Sequence, residues 1–431
     1  MTKKKLLILT YYWPPAGGAG VQRWLKFVKY LVDFGYEIHV YTAENPEAPA
    51  FDNSLLDDIP SGITVIKKPI WEPFEFYKKI TRRKGNFNAG FLTEDHRNKS
   101  SLADKISLFI RANFFIPDAK MFWINPSVRF LKKYIVQEKI DVVISSGPPH
   151  SLHIIASKLK KQLKINWLAD FRDPWTNIDF YKELPVSKPA HLYHKYLEKK
   201  VLRQADRVVV VGETMKSEFL EISPTSCIDV ITNGFDIEPS ASKNLDSDFT
   251  ILHVGSINAD RSHESFYQSL SELCHSNQEF AARLKLKFIG KTDYKARQFI
   301  KKYELESLTQ FIDYLPYNEI AAIQSSARIL YLPVNNSLNA KGILTGKFFE
   351  YLAALRPILA QGPVNGDIAK ILGQTQAGVI VDFEDLDGMK TAINNEYNRY
   401  LENSEISISK NVNSFSRKNL TRQLHEILES M

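Results

Sequence analysis

Short, nearly unbroken apolar runs alternate along this chain with longer stretches whose apolar positions recur three and four apart. Lys5 to Thr10 (KLLILT) has the length of a buried strand, and the turn-rich Tyr11 to Gly20 (YYWPPAGGAG) follows it. Val21, Trp24, Leu25, Val28, Leu31 and Val32 then share one face of a helix that Gly35 closes, and Glu37 to Thr42 reads as the next strand. Pro46 to Ser100 is the least regular part. Order returns with a strand at Ile140 to Ser146, the turn GPPHS and a helix from about Leu152 to Leu163. A strand at Ile165 to Ala169 follows, running into Asp170 to Trp175 (DFRDPW). Further strands are predicted at Arg207 to Val211 and Ile228 to Thr232, before the turn Asn233 to Asp236.

Ile237 to Ser247 is polar and reads as a linker, after which the alternation restarts. Strands are predicted at Thr250 to Val254, Leu286 to Ile289, Leu308 to Ile312, Ile329 to Leu332 and Gly378 to Val381, with helices between them. The last helix spans Leu420 to Leu428. Strand–helix–strand order implies right-handed parallel crossovers, hence an α/β protein with two similar halves. The first glycine-rich loop lacks the spacing of a dinucleotide fingerprint, which argues against an oxidoreductase.

Candidate chemistry concentrates at Gly342 to Ala360 (GILTGKFFEYLAALRPILA). Phe348, Tyr351, Leu352 and Leu355 are spaced as one helix face, and Pro357 ends the helix. Gly346 at its start admits close approach of a ligand, and exposed N–H groups there attract anions. Lys347 adds a positive charge, and Glu350 can accept hydrogen bonds from a diol. A buried amphipathic helix with solvated charges would show the same pattern, so these residues alone decide nothing.

GKFFEYLA followed by RPILA resembles the donor-site helix of retaining GT-B glycosyltransferases of the family-four type, and the likeness extends over nearly the whole chain. The resemblance implies two Rossmann-like domains facing a central cleft, with the C-terminal helix crossing back to the first domain. It divides the chain into an acceptor-side domain at 1–238, joined by about 412–431, and a sugar-nucleotide-binding domain at 239–411. It implies that Glu350 holds the donor ribose and Lys347 the diphosphate, with Leu344, Thr345 and Gly346 beside them. By the same resemblance Gly17, Gly18 and Gly20 flank the donor phosphate, Ser256 or Arg261 supports the diphosphate, and Leu315 lies against the base. SSGPPHS and DFRDPW correspond to acceptor-side loops, with His150 in the first and Asp170, Arg172 and Asp173 in the second. Asp173 is then an orienting or electrostatic group that Asp170 and Arg172 support. The family's usual motif has a second Glu eight residues before Glu350, where this chain has Gly342.

Composition refines this picture. The chain's two cysteines have no metal-ligand spacing, and no run approaches the ~20 apolar residues of a membrane span. The expected location is cytoplasmic and peripheral on the inner face of the membrane. No cofactor or metal is expected, because no convincing Asp-x-Asp site accompanies a nucleotide loop. Up to Asp236 there are 35 Lys and Arg against 26 Asp and Glu, and the rest of the chain is nearly balanced. A basic first half, with aromatics beside the basic run Lys78 to Lys84, suits an anionic membrane. The expected partners are a nucleotide-sugar donor, a glycan or lipid-linked acceptor and anionic membrane, with no nucleic acid. The expected role is polysaccharide or glycolipid synthesis. A GT-B epimerase and a non-catalytic binding protein remain alternatives.

Overall fold

The computed structural model describes residues 3–48, 50–71, 102–178, 181, 184–239, 244–313, 315, 317–402 and 410–431. The basic run Lys78 to Lys84 and its neighbours Phe74, Phe76 and Tyr77 therefore lie outside the described residues. The chain divides into two compact units, residues 1–231 with 421–431 and residues 232–420.

Unit 1 contains, in order, β1 (Lys5–Leu9), α1 (Ala19–Asp33), β2 (Glu37–Ala43), β3 (Thr64–Lys68), α2 (Leu102–Phe114), α3 (Ile124–Glu138), β4 (Val142–Gly147), α4 (Ser151–Leu163), β5 (Asn166–Phe171), α5 (Lys188–Gln204), β6 (Arg207–Val210), α6 (Glu213–Ile222) and β7 (Ile228–Val230). Its seven strands pair in the order β3-β2-β1-β4-β5-β6-β7, all parallel. Central strands of such a sheet are covered on both faces, which is why KLLIL and VVISSG read as unbroken apolar or small-residue runs. The edge strand β3 (TVIKK) is half exposed and falls inside the stretch that pattern alone leaves irregular.

Unit 2 contains β8 (Phe249–Val254), α7 (Glu264–Ser276), α8 (Gln278–Arg283), β9 (Leu284–Ile289), α9 (Tyr294–Lys302), β10 (Thr309–Ile312), α10 (Tyr317–Ser326), β11 (Ile329–Pro333), α11 (Gly346–Ala353), β12 (Ile358–Gln361), α12 (Asp367–Thr375), β13 (Gly378–Val381) and α13 (Leu386–Leu401). The strand order is β10-β9-β8-β11-β12-β13, again all parallel. α11 buries Phe348, Phe349, Tyr351 and Leu352 against this sheet, and the chain leaves it through Leu355 at φ +52°. The last helix, α14 (Arg417–Glu429), starts in unit 2 and continues in unit 1. At its start Arg417 N–H donates to Phe235 O (2.8 Å). At its end Leu424 and Leu428 are buried, and the Tyr36 hydroxyl bonds His425 Nδ1 and Glu429, each at 2.8 Å.

Strand order reverses once in each sheet, between β1 and β4 and between β8 and β11. Loops leaving the C-terminal ends of such a strand pair flank a crevice, where open α/β sheets take ligands. In unit 1 these loops are residues 10–18 and 148–150, and in unit 2 they are residues 255–263 and 334–345.

Candidate active site

In unit 1 the glycine-rich loop enters α1 through Gly18, at φ +101°, while Gly17 N–H is tied to Ala50 O at 2.8 Å. Gly20 follows in the first turn, where a Cβ would overlap the Arg172 guanidinium. Arg172 leaves the end of β5 and donates to the carbonyls of Gly147 and Pro148. It thereby ties the β5 loop to the end of β4, with its guanidinium lying against Gly20. Burial lowers its pKa, against Asp173, Asp170 and Tyr12, which favour its charge.

Asp170 supports this loop from the interior rather than from an open edge. It is fully buried, and both oxygens are engaged: Oδ1 accepts from Arg23 at 2.9 and 3.1 Å, and Oδ2 from Trp24 Nε1 (2.7 Å) and Ser146 Oγ (2.8 Å). Burial pushes this carboxyl up, but Arg23, Ser146 and Trp24 more than offset that and hold it below the usual carboxylate range. Arg23 also donates to Ile231 O at 2.9 Å. Asp170 therefore clamps α1 to β4 and β5 and reaches no substrate directly. Asp173, two residues past β5, is exposed and is the accessible carboxylate of this loop.

His150 lies at the start of α4, stacked on Trp175 with ring centroids 4.4 Å apart. Burial, with His153, His194 and Arg172 nearby, holds it neutral. His153 Nδ1 is 2.8 Å from Ser145 Oγ, and burial lowers its pKa to about 3. The loop is anchored from outside by Asp118, which accepts from Ser151 N–H (2.8 Å) and Oγ (2.7 Å).

The unit 2 residues converge more closely. Lys347, in the first turn of α11, extends over the loop after β8. Gly255 there has φ +103°, and a Cβ on it would overlap Lys347 Nζ. Gly290, at φ +108°, packs beneath Gly255 and also lacks room for a side chain. Arg261, from the same loop, donates to Asn335 Oδ1 (2.5 Å) and Ser256 O (3.4 Å). Burial, and then Arg261, lowers the Lys347 pKa to about 8 despite Glu350. Burial raises the Glu350 pKa, with Lys347, Gln324 and Arg417 opposing. Thr345 Oγ1, at the N-cap of α11, and His253 Nε2 are buried without hydrogen-bond partners. The unpartnered Thr345 hydroxyl, a helix N-terminus and two cations suit this site to a polyanion, with Glu350 one turn along α11. Leu344 and Leu315 pack into the unit 2 core. Gly346 has open space around its Cα, so any close approach there comes from a ligand.

The family model for Glycosyltransferase Family 4 matches residues 17–239, more than half of the chain. The chain belongs to glycosyltransferase family 4. No curated protein matches it by sequence. Solved structures match this family-4 chain over its whole length. A glycosyltransferase from Rickettsia africae is 14% identical, with coverage of 100% of this chain and 99% of that one and a TM-score of 0.62. Sucrose-phosphate synthase from Thermosynechococcus elongatus is 13% identical, covering 99% of each chain, with a TM-score of 0.61. Anabaena HepE in complex with UDP-glucose is 12% identical, covering 99% of this chain and 100% of that one, with a TM-score of 0.60. These likenesses show the two-domain GT-B fold.

Of the residues singled out from the family-4 sequence pattern, Ser256, Arg261, Thr345, Gly346, Lys347 and Glu350 gather around the ends of β8 and β11. Gly17, Gly18, Gly20, His150, Arg172 and Asp173 gather around β1, β4 and β5. Sequence reasoning missed Gly255, Gly290, His253 and Asn335. The first two could have been found by asking why glycines end two neighbouring strands, β8 and β9. Among the described residues no group of three or more His, Cys, Asp and Glu could hold a metal ion.

Proposed function

We propose that this family-4 enzyme transfers a hexose from a nucleotide-sugar donor to a glycan or lipid-linked acceptor, with retention of anomeric configuration. The observation that carries the reading is the Lys347 ammonium, seated over Gly255 at the N-terminus of α11 beside Arg261, with Glu350 one turn further on. Glu350 accepts from the ribose hydroxyls. Lys347, Arg261 and the first N–H groups of α11 take the two phosphates.

Cleavage of the anomeric carbon–oxygen bond leaves its electron pair on the diphosphate, whose charge grows in the transition state. Preorganised cations and helix dipoles stabilise that charge without reorganising. The same set gives a physical basis for transfer without a metal. In front-face transfer the departing phosphate oxygen takes the acceptor hydroxyl's proton, so no separate base is required. Asp173 then acts as an electrostatic or orienting group on the acceptor side, and His150, neutral and stacked on Trp175, lines that loop.

UDP-glucose in HepE and UDP-2-fluoroglucose in the trehalose-6-phosphate enzyme from E. coli support a nucleotide sugar as donor. A lipopolysaccharide outer core galactosyltransferase of the same fold supports surface polysaccharide or glycolipid as the product class. A panel of nucleotide sugars screened by thermal shift identifies the donor, since a bound ligand raises apparent stability by mass action. Transfer from that donor in the presence of a chelator, with the product anomer read by NMR, then tests the chemistry. Inversion, or loss of activity on chelation, would contradict the mechanism. Binding without turnover would favour a non-catalytic role.

A further inference from the structure

Among the described residues, unit 1 carries its net positive charge on one layer. Helices α3, α4 and α5 hold eleven Lys and Arg against two acidic residues, Glu138 and Glu198, and Glu198 is buried. The three helices pack side by side, and α2 packs on α5. Asn113, near the end of α2, fixes that contact: its Nδ2 donates to Pro185 O at 2.8 Å and its Oδ1 accepts from Ser187 N–H at 2.7 Å. Arg129, Lys132, Lys133 and Lys158 line an open groove between α3 and α4, and Lys188, Lys195 and Lys199 are exposed on α5.

The same edge exposes apolar side chains in a helical stripe. On α2 these are Ile106 (52% exposed), Phe109 (46%), Ile110 (43%) and Phe114 (67%). On α5 they are the adjacent Leu192 (66%) and Tyr193 (50%), with Tyr196 (59%) one helical turn further on. Scattered single apolar residues on a surface need no explanation, but a contiguous two-helix set does. Aromatic and aliphatic tips beside lysines are the composition of a face that settles into lipid headgroups.

We propose that the α2–α5 edge of unit 1 is a docking surface for an anionic bilayer. Ile106, Phe109, Ile110, Leu192 and Tyr196 enter the headgroup boundary, and the lysines of α3, α4 and α5 meet the anionic lipid. Neither sugar nor acceptor enters this argument, so it holds or fails separately from the transfer reaction. A duplex or single-stranded nucleic acid could be attracted by the same charge. The aliphatic residues of α2, which give no stacking platform for bases, favour lipid.

The test is flotation of the full-length protein with phosphatidylcholine vesicles, with and without phosphatidylglycerol, across a salt series. Wild type is expected to float with the anionic vesicles only, with binding that weakens as salt rises. Lys195→Glu with Lys199→Glu should cut partitioning by roughly tenfold or more, since each basic residue near such a surface contributes about fivefold. Phe109→Ser with Leu192→Ser should remove the binding that persists at high salt. All four positions are exposed, and an unchanged thermal midpoint verifies that each variant is folded. Equal partitioning onto neutral and anionic vesicles would overturn the proposal, as would variants that bind like wild type. Retention of the protein by short RNA without flotation would assign the basic layer to nucleic acid instead.

Discussion

Replacing Lys347 by Met isolates what the buried ammonium costs and what it does. Its pKa, lowered from 10.5 to about 8, corresponds to about 3 kcal/mol favouring the neutral over the charged form. Met is unbranched, one atom shorter than Lys, and carries no charge. Glu350 then loses a cation that helps keep it ionised, which returns part of the gain. The expected result is a variant more stable than wild type at neutral pH by about 1–3 kcal/mol. For a unit of this size that raises the unfolding midpoint by roughly 2–4 °C per kcal/mol.

The pH dependence follows from the same shift. A lysine whose folded pKa lies below its unfolded value holds fewer protons in the folded state between about pH 8 and 10.5, so wild-type stability rises with pH across that window. The advantage of the Met variant should shrink over the same window. Nucleoside diphosphate affinity should move the opposite way: it falls in wild type as pH passes about 8, and in the variant it is weak and flat. Calorimetric titration and thermal melts from pH 7 to 10 measure both. A Met variant that is less stable than wild type and binds the nucleotide equally well would refute the assignment of Lys347.

Gly255→Ala should be expensive for its size, because it combines φ +103° with overlap of Lys347 Nζ. A loss of about 1–3 kcal/mol and weakened diphosphate binding are expected, read by melts and titration. Asp170→Asn leaves Arg23 buried without its counter-charge, so a loss of about 3–5 kcal/mol is expected in denaturant unfolding. If the variant still folds, the turnover rate should fall while donor affinity stays near wild type. Gly342→Glu restores the carboxylate that the family-four pattern places there, and Gly342 is not among the glycines at positive φ. Competition between epimeric donors should then show selectivity sharpened by one to two decades, the worth of about 1.5–3 kcal/mol in a charge-assisted hydrogen bond.

Much of the fold was legible in the sequence because parallel strands covered on both faces must be apolar throughout. KLLIL, FTILHV and ILYLP declare themselves, and the helices between them show their buried stripe. The half-exposed edge strand β3 has no such signature. At the site, Lys347 and Glu350 could be read because a helix start confines its charges to a few positions. The burial of Asp170 could not be read from the sequence, for a physical reason. A carboxylate at a strand end looks the same in sequence whether it faces solvent or a buried arginine, and Arg23 lies 147 residues away. Gly255 was missed because its role depends on where the tip of Lys347 falls, a tertiary fact.

The central claim is that the N-terminal turns of α11 bind a nucleoside diphosphate through Lys347 and Glu350. Titrating UDP and GDP into wild type and Glu350→Gln tests it most directly, because the substitution keeps shape and removes only the charge that accepts from the ribose. The account predicts one site in wild type and affinity lower in the variant by about one to two decades. Equal affinity in the two proteins would contradict it.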